Sequence, residues 1–208
     1  MSPLPSQMAD RWQSRAEPRA DQGKLYWHVL LRDQPRLRVL ASLAQERLAR
    51  FSGLHFTPIE WLHVTTLVVG FSEEFTAAEI DAMASSARML LAELKPIAVT
   101  FGKVLYHPEA IAIGLRPQDA LDPVRNAVWR ATSGVVGDGK VLDDQPWNPH
   151  FTVAYSTAVQ PAGPIIDALG RELPGGQATV SRVSLVLQQG AERAWDWRTI
   201  AEADLGGP

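Results

Sequence analysis

Two segments, EWLHVTTLVVG (60–70) and WNPHFTVAYS (147–156), constrain the fold of this chain more than anything else in it. Both are runs of aliphatic, aromatic and β-branched residues, the composition of a strand, and both carry the pattern His-x-Thr. Successive strand residues point to opposite faces. His63 and Thr65 therefore share a face, as do His150 and Thr152, while Val64, Thr66, Phe151 and Val153 turn away. Burying a histidine in a core strand without a polar partner is unfavourable, and here two apolar strands carry one each, 87 residues apart. A fold that sets the two strands side by side, with both polar faces turned to one groove, satisfies both at once. Each half of the chain also holds a helix, a proline-bearing loop and then the histidine strand. Outside the two tetrads the halves are too dissimilar to establish a duplication.

The remaining pattern is of strands and helices in alternation. Residues 1–23, rich in Pro, Ser, Gln and charge, read as an irregular N-terminal arm, in which Asp10-Arg11-Trp12 is the cluster able to dock on the body. Residues 24–208 read as a single domain, beginning with the strand LYWHVLLR (25–32) and a turn at Asp33-Gln34-Pro35. Leu37, Leu40, Leu43, Ala44 and Leu48 have the spacing of an amphipathic helix. Thr76 with Glu79 three residues on predicts a capping box for a helix to about Leu94, ended by Lys95-Pro96. IAVTFGKVLY (97–106) and AIAIGLRP (110–117) predict a hairpin turning at His107-Pro108-Glu109. A further helix is expected over about Asp119–Ser133, a loop over 134–139, a short helix over 164–169, and strands at VSRVSLVLQQ (180–189) and WDWRTIAEA (195–203). Hairpin-like neighbours mixed with helices imply an α+β fold with mainly antiparallel sheets, not a parallel doubly wound one.

Composition removes several classes of chemistry. Of the residues, 46% are hydrophobic and 21% charged, which suits an ordinary folded domain. The formal charge of -3 argues against a broad cationic surface for long nucleic acid, though a short or terminal piece fits a small polar site. No cysteine is present, so disulfides, thiolate nucleophiles and cysteine metal sites are excluded. The first residues contain no apolar signal core, and no stretch reaches the roughly 18 apolar residues of a membrane helix. A cytoplasmic monomer without cofactor is the expectation.

Two imidazoles and two hydroxyls converging with two-fold pseudo-symmetry form the set that displacement at a phosphodiester requires. One neutral histidine accepts the proton of the attacking hydroxyl or water while the other, protonated, gives one to the leaving oxygen. The threonine hydroxyls donate to non-bridging phosphate oxygens. Such a site needs no metal. The sequence here resembles the 2H phosphoesterase superfamily, named for two His-x-(Thr/Ser)-x motifs, and within it the bacterial 2'-5' RNA ligase and cyclic nucleotide phosphodiesterase branch. The resemblance runs in element order from about Leu25 to the C-terminus, and its specificity lies in the two tetrads, their order and their spacing. It implies a bilobal α+β fold with two mainly antiparallel sheets, outer helices and a central cleft. It also implies action on 2',3'-cyclic phosphates or 2',5' linkages of RNA ends or small nucleotides, without ATP or metal. His63 and His150 match the catalytic histidines, and Thr65 and Thr152 the phosphate-binding hydroxyls. Thr66 stands where an apolar residue is usual. Tyr155 stands where this branch often has an arginine, which leaves open how the substrate's remaining charge is held.

Other features are weaker. His28, on the same strand face as Tyr26, either lines the cleft or is a hydrogen-bonded core histidine. His55 and His107 sit near turns and read as ordinary residues. Glu60-x-x-His63 has helical metal-pair spacing, but the segment reads as a strand. Gly134-Val-Val-Gly-Asp-Gly-Lys140 nearly fits a phosphate loop, yet it follows a helix and has Val141 in place of the hydroxyl residue. Trp147, Phe151 and Tyr155 read first as core aromatics and second as candidates for stacking on a base; Phe151 points away from His150 and reads as core, and Tyr155 reaches the histidine face only if its strand is bulged or ends there. Asp143-Asp144 reads as a solvated loop pair. With the histidines it would serve a metal-dependent hydrolase, and a nucleotide-binding protein that does no chemistry is the other alternative.

Overall fold

The alternation of apolar runs and helical stripes resolves into two sheets facing each other. The computed structural model describes residues 4–13, 18, 19, 21–141 and 147–206. Among these the chain runs β1 (Gln7–Met8), β2 (Gly23–Leu30), α1 (Pro35–Leu48), β3 (Leu54–Phe56), β4 (His63–Phe71), α2 (Ala77–Ala92), β5 (Ile97–His107) and β6 (Ala110–Arg116). It continues through α3 (Asp122–Val136), β7 (His150–Ser156), β8 (Gln160–Pro161), α4 (Gly163–Leu169), β9 (Glu172–Val180), β10 (Arg182–Gln189) and β11 (Trp197–Asp204). One sheet has the order β11-β10-β2-β4, the other β3-β7-β6-β5-β9, and β1 pairs with β8. All pairings are antiparallel. Helices α2 and α3 pack on the four-stranded sheet and α1 on the five-stranded one, with α4 beside α1. The two uncovered sheet faces meet across a cleft, so the fold is α+β and bilobal.

Each lobe has its own reasons to be stable. Of the stripe expected on α1, Leu37, Leu40, Ala44 and Leu48 are buried against the sheet, while Leu43 is half-buried and Ala41 takes its place in the core. The capping box forms, with Glu79 N–H donating to Thr76 Oγ1 at 3.2 Å and Thr76 N–H to the Glu79 carboxylate at 2.7 Å. Trp27 is fully buried, and its indole N–H donates to Thr132 Oγ1 of α3 at 3.0 Å. That bond satisfies the one polar atom such a burial would otherwise orphan.

The structure departs from the sequence reading in several places. The predicted irregular arm is tied down where it is described: Gln7–Met8 pairs with β8, and Met8 is 1% exposed within the core. Strand β9 was hidden by Leu173-Pro174-Gly175-Gly176, which resembles a turn, but β9 is a sheet edge where proline is tolerated. Gly176 lets α1 pack closely on this strand, since a Cβ there would lie 2.8 Å from the Leu37 side chain and push it aside. Helix α3 extends to Val136 and includes Gly134, so the near phosphate loop is largely helix; its end is Gly137 at φ 84°. A 3-10 turn occupies Ile59–Trp61, which delays β4 to His63.

Candidate active site

Strand β4, at the edge of its sheet, touches β7 of the other, and this contact brings the two tetrads to one place. Trp147, just before β7, fastens the junction by donating its indole N–H to the Thr65 carbonyl at 3.0 Å. The cleft beside it has a volume of ≈ 1140 Å³. His63, Thr65, His150 and Thr152 all line it, as do Tyr26, His28 and Tyr155.

The two histidines are held in the same way. His63 Nδ1 lies 2.8 Å from the Trp61 carbonyl and His150 Nδ1 lies 2.6 Å from the Asn148 carbonyl, each two residues back along the chain. A carbonyl only accepts, so Nδ1–H donates in both rings, and the nitrogen that carries no proton in the neutral ring is Nε2 in each. Burial lowers the His63 pKa to about 4; the Trp61 carbonyl opposes this, a charge on His150 adds to it, and Glu192 opposes it. His150 meets solvent at the rim, yet desolvation by the cleft walls lowers its pKa too, against the Asn148 carbonyl and with the help of His107. In both rings desolvation is the first cause and a neighbouring histidine acts in the same direction, so an anion bound beside them would oppose the shift.

Bulges set which side chains enter the cleft. In β4, Thr66 is the extra residue between the pairs Trp27↔Leu67 and His28↔Thr65, and its buried hydroxyl donates to the Trp27 carbonyl at 2.9 Å. The polar departure at this position is thus satisfied inside the sheet. In β7, Val153 is the extra residue between Ala112↔Thr152 and Ile111↔Ala154. The inserted residue shifts the alternation by one, which turns Tyr155 to the same face as Thr152. Arg11 lies over the Tyr155 ring at 4.4 Å and pairs with Glu192 at 2.8 Å, placing a guanidinium of the N-terminal segment at the end of the cleft.

Several lining residues carried no sequence signal. Trp197 meets His63 edge-on at 4.7 Å and His28 at 5.1 Å, and Trp195 takes a left-handed backbone (φ 54°) at the turn leading into β11. His107, read as ordinary, lines the cleft as well. His55 is packed between Trp12 and Trp195, outside the cleft lining. Phe151 is buried away from the cleft against Phe101, and Trp147 serves the strand junction. Asp143 and Asp144 lie outside the described residues. Among the described residues no group of three or more His, Asp or Glu has metal-holding geometry, and no helix is long and apolar enough to cross a membrane.

A family model described as the 2'-5' RNA ligase superfamily matches residues 37–192, more than half of the chain. The chain belongs to the 2'-5' RNA ligase superfamily. Among solved structures, it is similar to TT0787 of Thermus thermophilus, with TM-score 0.68 and 18% identity over 88% of this chain and 98% of that one. It is also similar to E. coli LigT complexed with 3'-AMP, with TM-score 0.65 and 14% identity over 91% and 99%. A third is the MHV ns2 PDE domain, with TM-score 0.51 and 12% identity over 76% and 97%. At such identities the likeness is one of fold. None of the curated proteins matches the sequence. The superfamily match spans both tetrads but begins after β2, so Tyr26 and His28 fall outside it.

The lowered His63 pKa has a consequence for stability. An unfolded histidine binds a proton near pH 6.5, whereas folded His63 resists one until about pH 4. Between those values the unfolded chain holds more protons, so stability is complete above pH 6.5 and is lost on acidification towards pH 4. Thermal unfolding between pH 7 and pH 4 checks this. The melting temperature is expected to fall across the window, less steeply in His63→Phe, and an identical slope in the variant contradicts it.

Proposed function

We propose that this protein is a metal-independent phosphodiesterase, and in reverse an RNA ligase, acting on 2',3'-cyclic phosphate or 2',5'-linked RNA ends or small nucleotides. The observation that carries the reading is the matched presentation of Nε2 by His63 and His150, each two residues before a threonine, in a single cleft. In the hydrolytic direction one neutral Nε2 takes a proton from water as its oxygen bonds to phosphorus. The other, protonated, gives its proton to the 2' or 3' oxygen as the P–O bond breaks. Thr65 and Thr152 donate to the non-bridging oxygens, where charge grows in the transition state. With a 5' hydroxyl in place of water as the attacking group, the same displacement opens the cyclic phosphate to a 2',5' linkage, and its reversal, with the 3' hydroxyl attacking and the 5' oxygen leaving, exchanges the roles of the two rings. That E. coli LigT structures hold 3'-AMP, ATP and NADP+ supports a nucleotide as the substrate class.

Incubation with 2',3'-cyclic nucleotides, 2',5'-dinucleotides and ADP-ribose cyclic phosphate, with products identified by mass, tests the proposal. The expected result is ring opening or 2',5' cleavage at a rate that EDTA does not change. Loss of activity in EDTA would indicate a metal-dependent hydrolase, and binding without product a nucleotide-binding protein; either outcome overturns the proposal.

A further inference from the structure

A third histidine stands beside the four groups assigned to the reaction, and neither proton transfer involves it. His28 is 2% exposed and stacks on His63, with ring centroids 4.2 Å apart and planes at 24°. Its Nε2 lies 3.2 Å from Thr65 Oγ1, while its Nδ1 is buried with no hydrogen-bond partner. Burial, and then the neighbouring His63, hold its pKa well below the ordinary value, so the ring is neutral and carries one proton.

Where that proton sits determines what Thr65 can do. On Nδ1 it would form a buried N–H with no acceptor, and Nε2 would then take the only proton of the Thr65 hydroxyl. On Nε2 it donates to Thr65 Oγ1 and leaves Nδ1 as a bare lone pair, which costs less than an orphaned buried donor. In this second tautomer the Thr65 hydroxyl has its acceptor side occupied and its own proton released, and the open direction is the cleft. Thr152 has no such partner among the described residues, so the two half-sites differ in this respect.

We propose that His28 is a positioning residue whose Nε2–H fixes the Thr65 hydroxyl as a donor towards bound phosphate. The inference rests on the phosphodiester reading of the cleft. A double-mutant cycle tests it, with kcat and KM for adenosine 2',3'-cyclic phosphate and the Kd of adenosine 3'-monophosphate measured in wild type, His28→Phe, Thr65→Val and the pair. Phenylalanine keeps a ring in the stack and removes the donor. His28→Phe is expected to lower kcat about tenfold, the size of one hydrogen bond to a charged group. His28→Gln, which retains an N–H donor, is expected to recover part of that loss. In the Thr65→Val background His28→Phe is expected to add less than about twofold, because the hydroxyl it would orient is gone. An undiminished loss in that background, or wild-type behaviour of His28→Phe, overturns the proposal. If thermal unfolding shows that phenylalanine does not fit, His28→Leu takes its place in the cycle. A wild-type protein that opens no cyclic phosphate refutes the proposed function instead. The cycle is then read on nucleotide affinity, where coupling sustains the role of His28 and additivity overturns it.

Discussion

Replacement of His63 or His150 by alanine is expected to lower kcat/KM for a 2',3'-cyclic nucleotide by about 10²–10⁴-fold each, the range of a positioned acid or base. The two losses are expected to be comparable, because the rings are held by the same Nδ1–H to carbonyl bond and both proton transfers belong to one displacement. They are also expected not to multiply: once one proton path is missing, removing the other costs little more, so the double variant should resemble the singles. Stability separates the two sites. His150 sits at the solvent-exposed rim, and its truncation leaves no cavity, whereas His63 packs against His28 and Trp197 and its loss lowers the melting temperature. Steady-state kinetics with thermal unfolding checks each clause, and full activity in either folded variant contradicts the assignment.

Thr65→Val and Thr152→Val carry the second large effect. Valine preserves shape and removes the donor, so the loss is expected in kcat and to be about 10²–10³-fold, as for other preorganised donors to a developing oxyanion. The two substitutions differ in the ground state. Thr65 Oγ1 is the partner of His28 Nε2, so valine there leaves a buried ring nitrogen unpaired, at a cost of about 1–3 kcal/mol of stability. Thr152 has no side-chain partner among the described residues, and its substitution is expected to leave stability nearly unchanged. Denaturant unfolding of the two variants distinguishes them, and equal destabilisation would contradict the geometry described for His28 and Thr65.

What was legible in the sequence follows the period of two. Alternation alone places His63 with Thr65 and His150 with Thr152, two apolar runs joined at His107-Pro108-Glu109 give the hairpin of β5 and β6, and the Thr76–Glu79 spacing gives the capped start of α2. What broke the period was hidden. Tyr155 faces the cleft only because Val153 is an extra residue in β7, and pairing between strands distant in sequence decides where such a bulge falls. Strand β9 carries Pro174 and two glycines that local propensity assigns to a turn, and its pairing at a sheet edge overrides that propensity. Arg11 and Trp197 come from segments whose local pattern says nothing of the cleft; tertiary contacts alone carry them there. His28 stood open between core and cleft because a strand face shared with Tyr26 fits either, and the Thr65 contact depends on β2 pairing with β4.

The central claim is that two imidazoles engage one phosphate through their Nε2 atoms. Nitrogen-15 NMR of the histidine rings during titration with adenosine 3'-monophosphate measures this most directly. The Nε2 resonances of His63 and His150 are expected to shift together with a single affinity, while both Nδ1 atoms keep their protons. Movement of one ring alone, or two separate affinities, would show that the histidines do not share a phosphate.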